Sequence, residues 1–222
     1  MIIASISAQS SVVPEIPKMD RLKYWFDPTD PAGYEVDNNR LVNKVIGDSY
    51  LVNGDGGSEP AYISGATVVY GPDQQSNEFV FQPNFNYSDP SRNWTVVIFQ
   101  RYLGGAGEFF YQPSPQTRLG LTEDKEYYVR IDGNLLDGGQ QGDGKFHMFT
   151  VTKSGTNFKS LVNKVLRLNT NNGAGGPRNP VIFPSSGAVE AWFGPVLIYD
   201  QSLTEGEIKS IYDYYKKRYR LA

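Results

Sequence analysis

The sequence predicts an all-β fold, two antiparallel sheets packed as a sandwich and closed by one short C-terminal helix. Segments rich in β-branched and aromatic residues recur along most of the chain, divided by Asp-Gly, Gly-Gly, Pro-Asn and Asp-Pro clusters. A helical apolar period of useful length occurs only after residue 204. The 23 glycines and 14 prolines supply turn chemistry, and aromatic residues, 14% of the chain, supply large core side chains. At 222 residues, one undivided β domain accounts for the length, with residues 21–222 as that domain.

Residues 1–20 stand apart from it. Ile2, Ile3, Ile6, Val12 and Val13 are apolar, but Ser and Gln interrupt them, and Pro14 and Pro17 forbid a regular helix. A dangling tail is usually more polar. Two readings compete: an edge strand of the same domain, or an extended arm that pairs with a partner. The arm is the expectation, because the sandwich and helix look complete without this segment.

Strands are expected over 62–70, 78–82, 94–102, 107–112, 125–131 and 145–153. Within the last of these, Phe146, Met148, Thr150 and Thr152 face one way, and His147, Phe149, Val151 and Lys153 the other. Trp94-Thr-Val-Val-Ile-Phe99 is almost continuously apolar, as a central strand covered on both faces would be. Segments 53–57, 132–144 and 169–180 are expected to be loops. The strand ending at Asp200 leads into a polar corner and then a helix. Thr204 caps that helix, Glu207 completes a capping box, and Lys216, Lys217 and Arg218 match the dipole at its far end. Ile208, Ile211, Tyr212, Tyr215 and Tyr219 make one apolar stripe along it.

This ending, Leu197-Ile-Tyr-Asp200 followed by Ser202-Leu-Thr204 and Glu207-Ile208, resembles that of concanavalin A-like lectin/glucanase domains, in particular the laminin G-like and pentraxin-like jelly rolls. Leu22-Lys-Tyr-Trp-Phe-Asp-Pro-Thr-Asp30 is similar to their first strand. Phe146 to Lys153 and Phe158 to Leu168 are similar to their paired strands, with Asn163-Lys164 where members usually carry Asn-Gly. The resemblance spans residues 20–219 and implies a two-sheet antiparallel jelly roll. Functions across that superfamily range too widely to be inherited from the fold.

Composition excludes several classes. The net charge of −3 gives no electrostatic case for nucleic acid. With no cysteine, disulfides and thiolate metal sites are ruled out. No apolar run reaches the length of a membrane span, and residues 1–10 lack the basic start of a secretory signal. The carboxylate pattern of sugar-cleaving relatives, Glu-x-Asp-x-x-Glu, is missing, and the Glu123, Asp124 and Glu126 group is a solvated turn on this reading. The single histidine, His147, lies inside a strand between Phe146 and Met148, where packing rather than catalysis is expected. The chain is therefore expected not to be an enzyme.

Binding candidates survive. Asp132 and Asp137, with Asn134 and Asp143, are weak calcium candidates; Asp27 and Asp30 are a second pair. Calcium at a loop rim is also what the resemblance implies. The competing reading is that these residues are good turn formers. Tyr87 and Tyr102 are the candidates for stacking on a sugar ring, whereas Trp94 and Trp192 are expected in the core. The expectation, resting on resemblance and on the missing catalytic set, is a non-enzymatic structural protein at the surface of a virion. Phage structural proteins often carry such domains, as a capsid decoration or a head or tail fibre subunit. Its partner would be another virion protein such as the major capsid protein, or further copies of itself, held through Ile2, Ile3, Ile6, Val12 and Val13. A host-surface glycan is the second ligand class. The alternatives are a carbohydrate-binding module of an extracellular surface or secreted protein, and a divergent polysaccharide-degrading enzyme.

Overall fold

The computed structural model describes residues 16–28, 30–35, 40–45, 50–53, 61–63, 67–69, 79–82, 92–104, 107–113, 116–121, 126–131, 134–141, 143–171, 181–182 and 190–221. Its strands are β1 Leu22–Phe26, β2 Tyr34–Glu35, β3 Arg40–Val42, β4 Tyr50–Asn53, β5 Ala61–Ile63 and β6 Thr67–Val69. Then come β7 Phe79–Gln82, β8 Trp94–Gly104, β9 Gly107–Pro113, β10 Gln116–Leu121, β11 Glu126–Ile131 and β12 Asn134–Gln141. The series ends with β13 Phe146–Ser154, β14 Asn157–Val162, β15 Val165–Asn171, β16 Val181–Ile182, β17 Glu190–Tyr199 and the helix α1 Glu205–Tyr219.

These strands form two antiparallel sheets, so the predicted jelly-roll sandwich is the fold found. The eight-stranded sheet runs β15-β14-β13-β8-β17-β6-β5, with β1 also on β17; the nine-stranded sheet runs β12-β11-β10-β9-β16-β7-β4-β3-β2. Strand alternation then builds two apolar layers. Trp94, Val96, Ile98, Phe149, Val151, Val196 and Ile198 point inward, joining Leu41, Tyr127 and Val129 of the other sheet. Val97, Phe99, Met148, Leu161, Leu197 and Tyr199 point outward, onto α1. The apolar run at 94–99 thus has its stated cause, since both faces of β8 are covered.

Helix α1 is fixed as its sequence foretells. The Thr204 hydroxyl accepts the Glu207 N–H at 3.2 Å, and Glu207 Oε2 accepts the Thr204 N–H at 2.8 Å. Ile208, Ile211, Tyr212, Tyr215 and Tyr219 are its buried stripe. Where it meets β17, Gly194 lies beneath the Tyr219 ring. A Cβ there would stand 3.0 Å from that ring and 3.1 Å from Phe99 Cβ, so only glycine lets the ring sit so close to the strand. The register of β17 against β8 shifts between Phe193 and Val196, which returns both side chains to the inner face.

Four expectations need correction. The strand expected over 62–70 is two, β5 and β6, paired with each other, and the loop expected over 169–180 starts inside β15, which runs to Asn171. Residues 132–144 are not one loop, because 134–141 form β12, paired with β11. Tyr102 is not exposed but 6% accessible. Strand β8 continues to Gly104, and residue 102 keeps the parity of Trp94, Val96 and Ile98, which turns its ring between the sheets. Of residues 1–20, Ile16 is buried in the helix-side layer, while Ile2, Ile3, Ile6, Val12 and Val13 lie outside the described residues.

Candidate functional site

Helix α1 covers only part of the outer face, and the ends of β13, β14 and β15 extend beyond it. Register sets what those ends present. Thr152 pairs with Thr95 on one side and Lys159 on the other, and Lys159 pairs with Asn169. One row along, Ser154 pairs with Asn157, and Asn157 with Asn171. The corner 201–205 rises beside these rows as a wall. Floor and wall enclose an open cleft of about 700 Å³, lined by Asn93, Thr152, Asn157, Lys159, Gln201 and Thr204 among others.

A chain of hydroxyls pins the wall to the floor. Thr95 Oγ1 donates to the Gln201 carbonyl at 2.9 Å and accepts the Leu203 N–H at 2.9 Å. Thr152 Oγ1 lies 2.8 Å from it and 3.0 Å from Ser202 Oγ, and donates to the Trp94 carbonyl at 3.3 Å. The corner is therefore held to the sheet independently of any ligand.

Charge in the cleft is balanced internally. Lys159 Nζ lies 3.1 Å from Glu205 Oε1. The N–H groups at the start of α1, which would otherwise suit an anion, are partly taken by the capping box. Burial raises the Glu207 carboxyl, but its hydrogen bonds from Thr204 and the nearby Lys18 outweigh that and hold it below the ordinary range. Amides do the rest of the presenting. Asn157 Nδ2 donates to Asn169 Oδ1 at 2.9 Å and Asn171 Oδ1 at 3.3 Å, and Asn93 Oδ1 accepts the Gly155 N–H at 2.8 Å. Each of these bonds engages one half of an amide and leaves the other half to a ligand. Asn157 offers oxygen; Asn93, Asn169 and Asn171 offer NH2. Such a shelf matches a ligand rich in hydroxyl groups, each a donor and an acceptor at once. Nothing on it forms a nucleophile–base pair.

The residues singled out by sequence fall elsewhere. Tyr87 and Asp132 lie outside the described residues; Asp137 is in β12, opposite Tyr128. Asp27 is 1% exposed, accepting from the Tyr215 hydroxyl at 3.3 Å with Arg218 at 3.5 Å, and Asp30 is held by Lys44 at 2.6 Å. Both carboxylates of that pair are thus engaged by side chains rather than turned toward a common point. Among the described residues no three His, Cys, Asp or Glu side chains gather as metal ligands would. Trp94 is in the core as expected, while Trp192 is half-buried, with Arg101 stacked 4.7 Å over its ring.

His147 is 2% exposed and held at both nitrogens. Asn163 Oδ1 accepts the Met148 N–H at 3.0 Å, which turns its NH2 toward His147 Nδ1 at 3.3 Å. Nδ1 must then accept, and Nε2–H donates to Asp143 Oδ1 at 2.8 Å. The imidazole is a buried strut rather than an accessible base. Burial raises the Asp143 carboxyl, yet hydrogen bonds from His147 and Lys145 win and bring it down to about 2. A folded-state value below the unfolded one, near 4, gives stability that is present above pH 4 and lost as pH falls toward 2. The melting temperature of the parent chain should drop between pH 4.5 and 2.5, by scanning calorimetry, and Asp143→Asn should drop measurably less. Equal drops would remove Asp143 from the account.

No protein-family model and no curated protein matches this sequence. Solved structures do share its fold. The binding domain of Paraclostridial Mosquitocidal Protein 1 superposes with a TM-score of 0.64 at 14% identity, over 89% of this chain and 53% of that one. The receptor binding domain of botulinum neurotoxin D gives 0.64 at 11%, over 88% and 53%. A Trypanosoma rangeli sialidase in complex with 2,3-difluorosialic acid gives 0.66 at 10%, over 89% and 33%. The chain therefore spans about half the length of the toxin domains and a third of the sialidase. At such identities the likeness establishes a β-sandwich fold and nothing about the ligand.

Proposed function

We propose that this chain is a non-enzymatic binding domain, a lectin-like sandwich displayed at the surface of a virus particle as a capsid decoration or fibre subunit. The observation that carries the binding reading is the fold it shares, over 88% of its length, with a domain that binds a receptor. That is an argument from architecture, and the charge-balanced shelf beside α1 is the surface to which we assign it. The virion part rests on the apolar segment at 2–13, suited to anchoring, and on the resemblance to domains carried by phage particles.

The shelf also favours the second reading, a carbohydrate-binding module of an extracellular protein. Two experiments separate the possibilities. On a glycan array the parent chain should bind at least one neutral glycan. A triple variant Asn157→Ala, Asn169→Ala, Asn171→Ala should bind at least tenfold more weakly at an unchanged melting temperature, since its side chains are on the surface. Peptides of this chain in purified particles of the encoding virus would support the virion reading, and their absence would leave the module. Turnover of a common polysaccharide, lost on replacing one acidic residue, would overturn the non-enzymatic reading altogether.

A further inference from the structure

Strand β15 ends the eight-stranded sheet, and among the described residues no strand pairs with its outer side. The last strand of the other sheet, β12, comes near it without pairing. Such an edge offers a row of backbone N–H and C=O groups to any extended chain. Here the edge is 7 residues long, and it begins with Val165 and Leu166, 49% and 41% exposed. Natural edges are usually shortened or charged; this one starts with two bare apolar side chains.

The same sequence contains a matching strand. Residues 2–13, Ile-Ile-Ala-Ser-Ile-Ser-Ala-Gln-Ser-Ser-Val-Val, carry no charge. Ile2, Ala4, Ile6 and Ala8 alternate with Ile3, Ser5, Ser7 and Gln9, an apolar face against a mostly polar one. We propose that the β15 edge of one copy receives residues 2–13 of a second copy as an added strand. Leu166 pairs with Leu161, which is buried beneath α1, so an added apolar face would continue that row outward by one strand.

Position favours a second copy over the chain's own segment. Ile16, where the segment joins the domain, belongs to the buried helix-side layer with Leu22 of β1 and Leu197 and Tyr199 of β17. From β17 to β15 is four strand spacings, about 19 Å, and α1 lies across the face between. Only Pro14 and Glu15 separate residues 2–13 from Ile16, a reach of about 10 Å when extended, so a chain cannot lay the whole segment along its own β15, whereas a second copy can.

The proposal rests on reading residues 2–13 as an anchoring arm, and the test separates the two ideas. The chain has no cysteine, so Ile6→Cys and Leu166→Cys, with Ala8→Cys as a neighbouring position, can be placed cleanly. A mixture of the arm variants with Leu166→Cys should form a disulfide-linked dimer on oxidation. In sedimentation, the full-length chain should self-associate, and both Leu166→Lys and deletion of 2–13 should weaken association at least tenfold with unchanged melting temperature. Association that survives Leu166→Lys but not the deletion would sink the edge and keep the arm. Association that survives the deletion would sink the arm itself. A disulfide formed only within single chains of a variant carrying both Ile6→Cys and Leu166→Cys, or a parent chain that stays monomeric, would overturn the second copy as occupant.

Discussion

An Ile211→Asp variant should melt about 10 °C or more below the parent chain and lose helical signal in far-ultraviolet circular dichroism. Ile211 is 0% exposed. It sits in the layer that α1 shares with Val97, Phe99, Met148, Leu197 and Tyr199. Truncating a buried isoleucine costs about 2–5 kcal/mol through lost transfer energy and the cavity left behind. Asp adds a carboxyl that must be buried unpaired or protonated, which places the total at about 4 kcal/mol or more. At this chain length each kcal/mol moves the midpoint by about 2–4 °C. Ile211→Val removes one methyl group and should cost only about 1 kcal/mol, so the pair of variants separates charge from volume. A melting temperature for Ile211→Asp equal to that of the parent would mean that α1 does not hold the sheet.

The helix was legible because its signals are local. Capping box, apolar stripe and basic last turn all fall within residues 204–219, and each has a fixed spacing. The apolar run at 94–99 and the alternation at 146–153 were equally plain, since β-branched and aromatic residues fill both strands. Strand β12 was missed for the opposite reason: Asn-Leu-Leu-Asp-Gly-Gly-Gln-Gln has the composition of a turn, and it becomes a strand only because β11 pairs with it. Tyr102 was misjudged because the end of β8 was placed at that residue, whereas the strand runs on to Gly104. The shelf left no trace in the sequence at all. Thr95, Thr152, Asn157, Asn169 and Ser202 are ordinary polar residues, and their convergence depends on the register of four strands and on one corner. Only its raw materials, Asn and Thr at strand ends, could have been noticed.

One consequence of that geometry is that the shelf residues and those that hold α1 are well separated. The shelf amides lie on the surface, while α1 is held by residues further along the same face. Variants in the two groups should therefore report on different properties, binding in one case and unfolding in the other.

Tyr215 is one of those holding residues, and Tyr215→Phe should destabilise the chain by about 2–4 kcal/mol although it removes a single oxygen. That hydroxyl, in a residue 0% exposed, accepts the Trp25 Nε1–H at 2.9 Å and donates to Asp27 Oδ2 at 3.3 Å. Burial, with the Asp27 charge beside it, pushes the phenol far above its ordinary range, so it stays a donor at every pH at which the protein folds. Phenylalanine keeps the ring contacts with Phe99 and Tyr219. It strands the indole N–H and leaves buried Asp27 one donor short, with Arg218 still 3.5 Å away. Each group deprived of its partner costs about 1–3 kcal/mol. A double-mutant cycle with Trp25→Phe divides that cost. If the hydroxyl bridges Trp25 to Asp27, the second substitution costs less in the Tyr215→Phe background than in the parent, because the stranded N–H is gone. Additive effects, or a Tyr215→Phe melting temperature within 1 °C of the parent, would show that β1 and α1 are joined by packing alone.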